Sequence, residues 1–102
     1  MRSPPASYFL AEWYITELDP GNVDHATAAL QRAATTVSDT VAAVSVLSVM
    51  AAPTDDLLYA LFAASGPHLV TQTCRAAGMP VDRLTADIYV RILTQPAREG
   101  CT

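Results

Sequence analysis

A chain of 102 residues has room for one hydrophobic core and not for two. Its composition, 51% apolar and 16% charged, excludes a disordered polymer. A formal charge of −4, with the six basic residues scattered rather than gathered, argues against nucleic acid as a partner.

Folding at this length hides roughly 65% of the unfolded surface, so neither disulfides nor metal are needed to hold the chain together. Sparse charge leaves apolar surface to cover, and a homodimer is the simplest cover. No apolar run approaches the roughly 20 residues that cross a bilayer. The first six residues carry Pro4-Pro5 and no apolar signal region. The expectation is a cytoplasmic protein in which Cys74 and Cys101 are free thiols, Cys74 structural and Cys101 in the tail.

One domain is expected over residues 7–93, with residues 1–6 and 94–102 as flexible termini. The run Ser7-Tyr8-Phe9-Leu10-Ala11-Glu12-Trp13-Tyr14-Ile15 opens it as a strand, rich in aromatic and branched side chains. With period two, Phe9, Ala11, Trp13 and Ile15 share a core face, and Tyr8, Leu10, Glu12 and Tyr14 the opposite one. A turn through Asp19-Pro20-Gly21-Asn22 offers Asn22 as the N-cap of a helix from Val23 to about Val37. Its apolar stripe is Val23, Ala26, Leu30, Ala33, Ala34 and Val37.

The valine-rich segment from Val41 to Met50 predicts a second strand, and Leu57 to Ala64 a third. A loop of about four to six residues around Pro53-Thr54-Asp55-Asp56 joins them in a hairpin. Ser65 caps a second helix with Gly66-Pro67 in its first turn, running to Ala77 and ending at Gly78. Val70, Cys74 and Ala77 form a buried stripe on it. The last strand, Leu84 to Leu93, alternates Leu84, Ala86, Ile88, Val90 and Ile92 with Thr85, Asp87, Tyr89 and Arg91.

The order β-α-β-β-α-β specifies an α+β, ferredoxin-like split-βαβ plan: a four-stranded antiparallel sheet ordered 4-1-3-2, with both helices on one face. The first and last strands are then neighbours. Their polar faces bring Tyr8, Glu12, Tyr14, Thr85, Asp87, Tyr89 and Arg91 together on the open side of the sheet, with Arg91 placed to neutralise Asp87 or Glu12. The apolar third strand leaves the side taken by Tyr59 undetermined. These side chains suit a dimer interface, a ligand or metal pocket built on the carboxylates, or a general base in an apolar setting. His25 and His68 each start a helix, and the antiparallel helices put them at opposite ends of the sheet. They would join a metal only together with carboxylates or a neighbouring subunit's groups.

With these elements in place, the chain resembles a family of small actinobacterial ferredoxin-like domains described as nickel-binding or nickel-responsive. Tyr8 to Tyr14 is similar to that family's opening strand, and Pro53 to Ala64 to its acidic hairpin turn and aromatic third strand. Ala76-Ala77-Gly78-Met79-Pro80-Val81-Asp82-Arg83 is similar to its helix-end segment. The resemblance implies a dimer and, in some members, bound nickel. It carries over onto Glu12 and the segment Gly78, Pro80, Asp82 and Arg83, while Trp13 stands where a basic residue is common.

The expected function is that of a small homodimeric binding protein for a divalent transition metal such as nickel, with Glu12, His25 and His68 as metal ligands. Tyr8, Tyr14, Asp87, Tyr89 and Arg91 are the expected pocket lining. One alternative is a cofactor-independent enzyme resembling the dimeric α+β-barrel monooxygenases, in which the tyrosines orient a small aromatic substrate and Glu12 or Asp87 moves a proton. A structural accessory subunit is the other.

Overall fold

The computed structural model describes residues 7–38, 42–91 and 93. The expected termini at 1–6 and 94–102, together with Val41, Ile92 and Cys101, lie outside the described residues. The elements follow the order β1 (Ser7–Tyr14), α1 (Pro20–Val37), β2 (Val44–Ala52), β3 (Leu57–Ala64), α2 (Pro67–Ala76) and β4 (Arg83–Ile88). All pairings are antiparallel, and the sheet runs β2-β3-β1-β4. This is the ferredoxin-like arrangement that the pattern of the sequence specifies.

One sheet face and the two helices enclose the core. Phe9, Ala11 and Trp13 of β1 meet Leu58, Ala60, Phe62 and Ala64 of β3, all buried. Leu30, Ala33 and Ala34 of α1 and Leu69, Val70, Thr73 and Cys74 of α2 close over them. Thr73 is tolerated there because its hydroxyl donates to the Leu69 carbonyl one turn back, at 2.8 Å.

Several boundaries differ from expectation for local reasons. α1 starts at Pro20, capped by Asp19, whose carboxylate accepts from the Asn22 N–H at 2.7 Å. Asn22 is the recipient of a cap and not the cap, because proline at the first helical position already has the required φ. α2 is capped by Gly66 with no side-chain hydrogen bond, so Ser65 does not serve. β2 starts at Val44, with Ala42 and Ala43 outside the strand. The Ser38 hydroxyl accepts from Val44 N–H and donates to its carbonyl, tying the end of α1 to the strand. Pro53–Asp55 forms a 3-10 turn, closed by Asp56 at φ 55°.

β4 departs most. It ends at Ile88 and not Leu93, and it does not alternate throughout. Leu84 pairs with Ala11 and Thr85 with Leu10, but Ile88 pairs with Tyr8, so one extra residue opposes Phe9. This bulge has Asp87 in the left-handed region at φ 57°. The extra residue reverses the facing beyond it: Ile88 joins Tyr8 on the open side, and Ala86 is exposed instead of core.

α2 ends in a Schellman arrangement. Met79 N–H bonds to Cys74 carbonyl at 2.8 Å and Gly78 N–H to Arg75 carbonyl at 3.0 Å, with Gly78 at φ 76°. Cys74 just upstream is fully buried, and burial pushes its thiol up to about 12 from 9.0. The unfolded thiol ionises first as pH rises, so this contribution to stability is complete below pH 9.0 and disappears towards about 12. Urea midpoints should therefore fall across that window in the native protein, and the Cys74-dependent part of the fall should be missing in Cys74→Ala.

Candidate functional site on the open sheet face

The face of the sheet turned away from the helices is set by β1 and β3. Because Leu58, Ala60, Phe62 and Ala64 are core, Leu57, Tyr59, Leu61 and Ala63 must face outward, half-buried. Tyr59 thus lies directly across from Glu12, and Met50 of β2 lies across from Tyr59. On the other side Glu12 opposes Arg83. The centre of the face is one carboxylate bordered by a phenol and a guanidinium, within a field made by Leu10, Leu57, Leu61 and Met50.

The Glu12 side chain is only 16% exposed, whereas Arg83 is 69% exposed, and their closest approach, Nε to Oε2, is 4.0 Å. Arg83, and not Arg91, is therefore the cation that meets Glu12. Arg91 is exposed and donates to the neighbouring Val90 carbonyl at 3.1 Å. Register explains the difference: Arg83 enters β4 opposite Glu12, whereas Arg91 lies beyond the strand's end at Ile88. The bulge takes Asp87 out of regular alternation with Thr85.

Apart from Arg91, the predicted residues separate into four places. Glu12 stands at the centre of the open face. Tyr8, Asp87 and Tyr89 gather at one end, where with Ser7 and Ile88 they line a cleft of about 230 Å³. Tyr14 is at the opposite end of β1 and 67% exposed. His25 and His68 are exposed on α1 and α2, on the helix side. A single chain does not bring Glu12, His25 and His68 together, and no group of three or more metal-binding side chains occurs among the described residues. Two further clefts lie on the helix side: one between α1 and α2 of about 310 Å³, one between α1 and β2 of about 410 Å³. Neither contains a predicted site residue.

Sequence reasoning missed Asp82 as a positioning residue. Its carboxylate accepts from Tyr14 N–H at 2.9 Å, and its own N–H donates to the Glu12 carbonyl at 3.1 Å. The Trp13 indole donates to the Met79 carbonyl at 2.9 Å. These three bonds fix the segment entering β4 against β1 from Glu12 to Tyr14, and so place Arg83 beside the carboxylate. The signal was available in Gly78-Met79-Pro80-Val81-Asp82-Arg83, but nothing local shows what its Asp82 accepts from.

Ferredoxin-like α+β describes the chain's class. No protein-family model matches the sequence, and no curated protein matches it. Among solved structures, the crystal structure of SCO4226 from Streptomyces coelicolor A3(2) superposes with a TM-score of 0.71 at 14% identity. The match covers 83% of this chain and 99% of that one. Identity this low establishes a shared fold and nothing about ligands. No helix among the described residues is long and apolar enough to cross a membrane.

The Glu12–Arg83 contact is long and one partner is well solvated, so its contribution is that of a surface pair. Arg83→Ala should shift the unfolding free energy by less than about 1 kcal/mol in urea titration. A larger loss would mean that the guanidinium neutralises Glu12 much more completely than this geometry indicates.

Proposed function

We propose that the protein is a small cytoplasmic homodimeric binding protein in which a second copy covers the open sheet face and a ligand is held around Glu12. The observation that supports this reading is the character of that face. A nearly buried carboxylate stands among leucines, a tyrosine and a methionine, with Met50 47% exposed in the single chain. Apolar and aromatic side chains gathered around a carboxylate are what an interface core with an embedded site requires. A carboxylate enclosed there calls for a cation, and Arg83 at 4.0 Å supplies only part of that.

A divalent transition metal such as nickel is the ligand class that the family resemblance implies. One chain does not fit it alone: Glu12 is the single carboxylate at the centre, and both histidines are on the helix side. Two-fold symmetry doubles every donor, so two copies meeting face to face would bring two Glu12 carboxylates towards a common axis. Any metal binding in this reading belongs to the dimer.

Light scattering on the eluting protein should give twice the 10.8 kDa chain mass. Leu61→Asp, on the outward face of β3, should give the single-chain mass with an unchanged far-ultraviolet circular dichroism spectrum. A wild-type protein that runs at the single-chain mass at tens of micromolar would overturn the dimer.

Calorimetric titration of nickel into chelator-treated, tag-free protein, with zinc and magnesium alongside, examines the ligand. Saturable heat at a whole-number ratio per dimer is expected, weakened at least about tenfold by Glu12→Gln. Flat heats for all three ions would remove the metal and leave the dimer standing.

A further inference from the structure

The cleft at the end of the open face differs in chemistry from the Glu12 centre. Its lining is Ser7, Tyr8, Asp87, Ile88 and Tyr89. It exists because of the bulge: the extra residue opposite Phe9 turns the end of β4 so that Ile88 faces out beside Tyr8, with Asp87 and Tyr89 flanking it. Among the described residues that line it, every polar side-chain group is an oxygen (two phenols, one hydroxyl and one carboxylate) and no side chain is cationic. Arg91, two residues beyond Tyr89, donates to its own neighbour's carbonyl.

We infer that this cleft is a binding site for a small organic cation of the alkylammonium class, with the Asp87 carboxylate as counter-ion and the Tyr8 and Tyr89 rings as the faces against which the cation packs. An anion would meet the Asp87 carboxylate as the one charged group of the described lining, and be repelled by it. A hard divalent metal would have to keep most of its waters around the single carboxylate of the described lining and so gain little there. A weakly hydrated ammonium with methyl groups is satisfied by aromatic faces and one negative charge. The volume, about 230 Å³, is below the roughly 300 Å³ at which drug-sized pockets begin, so the occupant is small. Tyr89, 85% exposed in the free protein, is the wall with freedom to close over it. Asp87 keeps its left-handed backbone because aspartate and asparagine tolerate that region better than other non-glycine residues.

This inference goes beyond the Glu12 reading and does not depend on it. The test is an amide NMR titration of the full chain with tetramethylammonium chloride, against sodium chloride at the same ionic strength. Saturable shifts at Tyr8, Asp87, Ile88 and Tyr89, absent with sodium, are expected. Asp87→Asn removes the charge and retains the αL-tolerant backbone, and it should weaken binding about two- to fivefold, as should Tyr89→Ala. Shifts of equal size with sodium, shifts spread over other acidic positions such as Glu17, Asp55 and Asp56, or an unchanged dissociation constant in Asp87→Asn would each overturn the site.

Discussion

The contact on which the rest of this structure depends is the attachment of the α2–β4 connection to β1. Trp13 reaches through the core to donate to the Met79 carbonyl, and Asp82 takes the Tyr14 N–H while giving its own N–H to Glu12. An indole buries on the order of 200 Å², worth about 5 kcal/mol at ~25 cal/mol per Å², and its one polar atom is satisfied in the same act. The connection can be gripped there because Gly78 reverses the chain at a left-handed position, delivering Met79 to the indole. Remove that reversal and β4 has no fixed starting register against β1.

The consequences run outward from this point. With Asp82 bonded on both sides of Trp13, Arg83 falls opposite Glu12 and β4 proceeds in register through Leu84 and Thr85. The bulge at Asp87 then ends that regularity. The open face therefore contains two polar centres and not one. The first is a nearly enclosed carboxylate in an apolar field; the second is an open cleft of tyrosines and an aspartate.

The two faces of the sheet divide the labour. The helix side takes the small residues of α1 and the close-packed stripe of α2, where Cys74 is inert because it is buried. Among the described residues no helix covers the open side, and the chain places leucines, tyrosines and one methionine there around Glu12 and Arg83. The fold shared with the Streptomyces protein supplies the platform; the residues on this face belong to this chain.

Local physics made much of this readable in the sequence. Alternation and helical spacing give the element order, the buried stripes of α1 and α2 and the core face of β1, because side-chain periodicity follows directly from backbone geometry. Gly78 was identifiable because few residues accept its φ. What the tertiary structure alone decided is which polar groups meet. Whether Asp19 or Asn22 caps α1 depends on a proline's fixed φ, and both residues look like caps in isolation. The outward turn of Tyr59 follows only from the packing of Leu58 and Phe62 against the helices. Arg83, and not Arg91, faces Glu12 because the α2–β4 connection sets the register in which β4 enters beside β1, and a slip of one residue in a period-two element leaves no trace in its composition.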